Sequence, residues 1–129
     1  MQHSRVEEKI LLAGKAVLEK KGLDLVIFDL RGISDIADYF LICSGASDRQ
    51  LRAIADAIED ALLKIGIKMD HKEGYQESSW ILLDYGDLVA HIFNEDKRQY
   101  YDLERLWGDA PKVDLSSLGS SAKDEQSSA

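Results

Sequence analysis

Gly45-Ala46-Ser47 lie between an apolar run and the polar residues Asp48-Arg49-Gln50. A strand, a small-residue turn and a helix N-terminus can hold a phosphate, because the first helical N–H groups and the helix dipole point at it. Nucleotidyl transfer at such a turn would also need two metal-binding carboxylates two residues apart on a following strand, where alternation aims both at one face. The acidic pair with that spacing is Asp102 and Glu104. It falls in a segment that reads as helix, where residues i and i+2 diverge. Gly45 to Ser47 therefore reads as a plain helix cap, and this catalytic route lacks its metal pair.

His71 and His91, with Asp70, Glu73 and Asp84, are residue types that bind metals. Their spacing matches no ligand pattern, and His3 stands near the chain start. Hydrogen-bonded or solvated histidines are the expectation. A Gly-x-Ser-x-Gly elbow, a Walker loop and a dinucleotide fingerprint are all missing from the sequence. The chain is expected to work with no catalytic residue, no metal and no cofactor.

Recognition is the other chemistry the sequence offers. Ser79 to Phe93, SWILLDYGDLVAHIF, has two apolar runs around Asp84-Tyr85-Gly86-Asp87 and reads as a β-hairpin turning at Tyr85-Gly86. If Asp84 and Asp87 close the turn, Leu83 faces Leu88, Leu82 faces Val89 and Trp80 faces His91. Alternation then puts Ile81, Leu83, Leu88, Ala90 and Ile92 on one aliphatic face. The other face carries Trp80, Leu82, Asp84, Asp87, Val89 and His91. Two readings of that mixed face stand: a half-exposed sheet with its Trp partly covered by a helix, or a docking surface anchored on Trp80.

The elements around the hairpin follow from periodicity. Val6, Ile10, Ala13 and Val17 mark an amphipathic helix over residues 5–21, stopped at Gly22. Residues 23–30, LDLVIFDL, and Asp38 to Gly45 read as strands. Ser47 with Gln50 forms a capping box for a helix carrying Leu51, Ile54, Ala55, Ile58, Leu62 and Ile65, closed by Gly66. Ile67 to Glu73 predicts a third strand. Asn94 to Lys97 reads as a turn before a last helix, RQYYDLERLWG, with Tyr100, Leu103, Leu106 and Trp107 inward and Arg98 paired to Asp102. The order gives an α+β (α/β) fold with a mixed five-stranded sheet and flanking helices. One domain is expected over residues 1–110, with a disordered Ser-rich tail over residues 111–129.

Charge and composition exclude other classes. The 129 residues carry 24 acidic and 16 basic side chains, for a net charge of −8. A protein that tracks a phosphate backbone displays a basic patch, and here Lys and Arg are scattered. Extensive direct nucleic-acid binding is disfavoured, and a basic protein partner fits better. The single cysteine, Cys43, cannot form an internal disulfide. No apolar run approaches the roughly 20 residues of a membrane span, and residues 1–10 contain no signal core. A cytoplasmic location is expected.

Four blocks in order then resemble one family. DYFLICSGASDRQLRAIAD (Asp38–Asp56), Glu73-Gly74, WILLDYGDLVAHIF (Trp80–Phe93) and YYDLERLW (Tyr100–Trp107) are similar to the ribosomal silencing factor family, also called RsfS or Iojap-like. The likeness runs over about residues 5–108. It implies a nucleotidyltransferase-like fold without the catalytic carboxylates. It further implies a non-catalytic translation repressor that binds the large ribosomal subunit through ribosomal protein L-fourteen and blocks joining of the small subunit. A role in large-subunit assembly through the same site is the alternative, and an enzyme on this fold a more distant one. Some members form homodimers, for which an exposed sheet face would also serve. Placed on this hairpin, the partner-binding residues are expected to be Trp80 and Leu82 as apolar contacts, Asp84 and Asp87 as acidic ones, and Glu73 and Tyr85 at the margin.

Overall fold

The computed structural model describes residues 2–116 and 118, with side chains from residue 5. The chain runs α1 (Gln2–Glu19), β1 (Leu23–Asp29), β2 (Tyr39–Gly45), α2 (Asp48–Leu63), β3 (His71–Glu73), β4 (Trp80–Asp84), β5 (Leu88–Asn94), α3 (Glu95–Tyr101) and α4 (Leu103–Leu106). The five strands form one mixed sheet in the order β1-β2-β5-β4-β3. β2 and β5 are parallel, and the other three neighbouring pairs are antiparallel. The parallel pair is possible because α2 and the β3–β4 hairpin make the long crossover between β2 and β5.

Two helices cover one face. Ile10, Ala13 and Val17 of α1 and Leu51, Ile54, Ile58 and Leu62 of α2 bury against Leu41, Cys43, Ile81, Leu83, Ala90 and Ile92. Both helices thus show the one-sided apolar stripe that drives such packing. Their ends are tied by Gln50, whose side-chain amide donates to the Lys20 and Lys21 carbonyls. The Ser47 hydroxyl accepts from the Gln50 N–H at 3.1 Å, while Gln50 Oε1 accepts from Ala46 at 2.6 Å, one residue ahead of the expected box.

The second face is aromatic. Phe28, Phe40, Ile42, Val89 and Phe93 bury there with Ala110, and Val26, Trp80, Leu82, Leu103 and Trp107 pack at the margin. α4 and the residues after it cover the β1–β2 side. On the β4 side, Tyr101 of α3 lies against Trp80.

The hairpin register differs from the expected one by two residues. Trp80 pairs with Phe93, Leu82 with His91 and Asp84 with Val89. Because the slip is even, the side chains of Trp80 to Asp84 and of Leu88 to Ile92 keep their predicted faces, while Asp87, in the turn, does not. It also parts the two carboxylates that a tight turn would have set opposite each other. The turn is wider, closed by the Tyr85 N–H on the Leu88 carbonyl at 2.8 Å.

Three further expectations are corrected. The last helix starts at Glu95, with Asn94 Oδ1 capping the Lys97 N–H at 2.8 Å, where a turn was expected. It then breaks at Asp102, whose φ of 47° is left-handed. Tyr100 and Leu106, both expected inward, are turned out, 78% and 68% exposed. The third strand holds only His71–Glu73. The segment after Ala110, expected to be disordered, begins as packed structure. Pro111 accepts from the Asp29 N–H, Val113 donates to the Ile27 carbonyl, and Lys112 bridges Phe28, so this segment lines the β1 edge. Leu115 then seats over Gly14 of α1, where any Cβ would collide with it. Residues 117 and 119–129, the rest of that expectation, lie outside the described residues.

Candidate functional site

Trp80 is the first residue of β4 and stands half-buried on the aromatic face. Its indole stacks on Phe93 at 5.0 Å and meets Tyr101 of α3 at 4.6 Å between ring centroids. The indole N–H donates to His91 Nδ1 at 3.1 Å. An indole nitrogen only donates, so this bond places the His91 proton on Nε2. His91 is 4% exposed, and burial pushes its pKa down to about 4. The imidazole is therefore neutral across the physiological range.

The chain reaches Trp80 through a strained loop. Gly74 has a φ of 77°, and a Cβ there would fall on the Trp80 carbonyl oxygen. Ser78, fully buried, also sits at positive φ, 52°, and its N–H donates to the Gly74 carbonyl at 2.9 Å. α2 holds the loop from the other side. Arg52 donates to the Tyr75 and Gln76 carbonyls, and the Tyr75 hydroxyl donates to the Asp56 carboxylate at 3.0 Å. The Glu73-Gly74 block is thus a turn that only glycine fits.

Of the six expected contact residues, four share one face. Trp80, Leu82 and Asp84 alternate along β4, and Glu73 of β3 stands opposite Leu82. Leu82 and Asp84 are half-buried, and Glu73 is exposed. Asp84 Oδ1 accepts from the Gly86 N–H at 2.8 Å, which closes the turn locally. Glu73 Oε2 accepts from the His71 Nε2–H at 2.6 Å, an exposed pair.

The other two are placed elsewhere. Tyr85 is 5% exposed and packs in the aliphatic core beneath α1 and α2. Burial raises the pKa of its phenol, whose oxygen has no hydrogen-bond partner among the described residues. It cannot meet a partner on the Trp80 face. Asp87 is held by Lys9 of α1 at 2.7 Å, on the side away from Trp80. Its carbonyl also accepts from the Asp38 and Tyr39 N–H groups. Asp87 joins the hairpin turn to α1 and β2.

Tyr101 and Tyr100 were not anticipated at this face. Tyr101 is 43% exposed against Trp80, and Tyr100 meets it edge-on at 5.0 Å. The signal for their position was Asn94 followed by Glu95 and Asp96, a capping residue with acids in the first turn. Arg98 fixes the break after them. Its guanidinium makes a two-bond pair with Glu104, 3.0 and 2.9 Å, and donates to Ser44 Oγ and the Leu23 and Asp24 carbonyls. Arg98 does not pair with Asp102 as expected. The left-handed turn at Asp102 instead brings Glu104 within its reach.

The Gly45–Ser47 turn is occupied by its own chain. A Cβ on Gly45 would strike Leu51, so this glycine serves helix packing. Asp48, Glu95 and Asp96 rim the adjoining crevice and make it unfavourable for a phosphate. Glu104, one of the two candidate carboxylates, is committed to Arg98, which lowers its pKa. Among the described residues no group of three or more His, Cys, Asp or Glu is placed to hold a metal.

A family model described as "Ribosomal silencing factor during starvation" matches residues 3–129. The chain belongs to the ribosomal silencing factor family. A curated relative, ribosomal silencing factor RsfS of Bacillus subtilis, is 49% identical over 104 residues, covering 81% of this chain and 88% of the relative. A crystal structure of a Chromobacterium violaceum protein matches with a TM-score of 0.76 at 33% identity, covering 78% of this chain and 84% of that one. One from Bacillus halodurans matches with a TM-score of 0.73 at 42% identity, covering 83% and 97%. The family membership agrees with the four sequence blocks and with the mixed α+β sheet. Curated relatives in the family are named as silencing factors rather than as enzymes.

Proposed function

We propose that the chain is a non-catalytic translation factor of the bacterial cytoplasm. It binds the large ribosomal subunit through ribosomal protein L-fourteen and so blocks joining of the small subunit. The family gives the ribosomal context, and the observation that supports the docking site is the setting of Trp80. A large aromatic is held in one orientation, half-buried on the aromatic face of the sheet, with Leu82 beside it and Asp84 and Glu73 around it. Such a fixed aromatic with a polar rim is how a few residues carry most of an interface's energy.

The charge favours a basic protein over RNA as the direct partner. The chain carries −8 overall, and complementary potential speeds encounter and sets orientation. The acidic residues at the site are Asp84 and Glu73; Tyr85 and Asp87 play no part in it. The unit that acts includes the 111–116 segment, which is packed along β1. Binding of the full-length protein to purified large subunits, small subunits and isolated L-fourteen tests the reading. Binding to large subunits and to L-fourteen, and not to small subunits, is expected. Equal binding to both subunits would overturn it.

A further inference from the structure

His91 is a costly residue for the place it fills. It stands on the central strand β5, with Phe40 4.5 Å away on one side and the Phe93 ring nearly parallel to it at 6.1 Å. Neither ring bears a charge or a conventional acceptor. His91 Nε2, which carries the proton, is buried and has no hydrogen-bond partner among the described residues. A phenylalanine would pack among these rings without leaving a donor unsatisfied, a defect that costs free energy in a core. Packing alone therefore does not account for a histidine here.

The other nitrogen does account for it. Nδ1 accepts the Trp80 indole N–H at 3.1 Å, and this is the directional contact the indole makes. The stacking contacts with Phe93 and Tyr101 are compatible with a ring that slides or flips, since dispersion has little angular preference. A half-buried indole released from His91 can give its N–H to water in another rotamer. Burial favours the neutral ring that keeps Nδ1 an acceptor.

We propose that His91 is a positioning residue for the docking face: by accepting the indole N–H it holds Trp80 in the single orientation that meets the partner. The partner half of this inference rests on the function proposed above; the positioning half does not.

The test uses full-length protein with Trp107→Phe, so that Trp80 is the only indole. Trp107 Nε1 is itself buried without a partner among the described residues, which makes that background tolerable. His91→Phe keeps a ring and removes the acceptor. His91→Asn puts an amide oxygen near the place of Nδ1. Indole N–H exchange by NMR and time-resolved anisotropy report the ring, and titration with purified large subunits reports docking. His91→Phe is expected to fold, to speed indole exchange and motion, and to weaken docking about five- to tenfold, the range of one net hydrogen bond. His91→Asn is expected to restore most of both readouts. Unchanged exchange and motion in His91→Phe would overturn the proposal, as would an Asn variant as loose as the Phe one. If the indole loosens as expected but Trp80→Ala docks normally, the docking reading fails and the positioning one stands.

Discussion

Asp84 lies across the sheet from Val89, and Asp87 is drawn to Lys9 on the opposite side of the hairpin. Two carboxylates three residues apart thus serve different faces. Asp84 stays beside Trp80 and Leu82, while Asp87 locks the turn to α1. This divides the hairpin into a recognition face and an anchoring turn.

Trp80→Ala tests the recognition face. A central aromatic anchor is worth about 2 kcal/mol or more of binding. Affinity for the large subunit should fall on the order of 30-fold by that measure, in a variant that still folds but melts lower, since the ring stacks on Phe93 and its loss leaves His91 Nδ1 without its donor. Wild-type affinity in a folded variant would remove Trp80 from the interface.

The same face was partly legible in the sequence. Period-two alternation assigned Ile81, Leu83, Ala90 and Ile92 to one side and Trp80, Leu82 and His91 to the other, and an even register slip leaves that untouched. The turn was misplaced because Tyr85, read as a turn residue, continues the alternation of Ile81 and Leu83 and is buried with them under α1 and α2. Nor was the break at Asp102, which depends on Arg98 reaching Glu104, β1 and β2 at once. The Ser-rich composition after Pro111 masked a segment whose docking depends on main-chain bonds and on the one groove Gly14 leaves for Leu115.

Gly74→Ala should be severely destabilising. The position has a φ of 77°, and the added methyl falls on backbone that cannot yield cheaply. A loss of roughly 2 kcal/mol or more is expected from the strain alone, measured by urea unfolding. A variant as stable as wild type would mean the loop has a second path into β4.

Arg98→Gln should loosen the α3–α4 cover. The arginine side chain is 11% exposed, and its loss strands the Glu104 carboxylate and two main-chain carbonyls. Breaking such a partly buried pair costs about 2–4 kcal/mol. Arg98→Lys should recover little, since one ammonium cannot reproduce the fork. A change below about 0.5 kcal/mol, the level of an exposed pair, would contradict the structure.

His91 sets a pH dependence. Its folded pKa, about 4, lies below the unfolded value of 6.5, so the unfolded chain takes the proton first as pH falls. The stability contributed by neutral His91 is complete above pH 6.5 and declines through the interval down to about pH 4. A shift of this size amounts to roughly 3 kcal/mol. His91→Phe should flatten that part of the profile in urea titrations between pH 7.5 and 4. An identical slope with and without His91 would place the titration elsewhere.

The most direct measurement is a sucrose gradient of purified large and small subunits, mixed under joining conditions with and without the full-length protein. The account predicts that the protein travels with the large subunit and that the joined particle declines as its concentration rises. A protein that stays at the top of the gradient, or one that rides on joined particles, would contradict it.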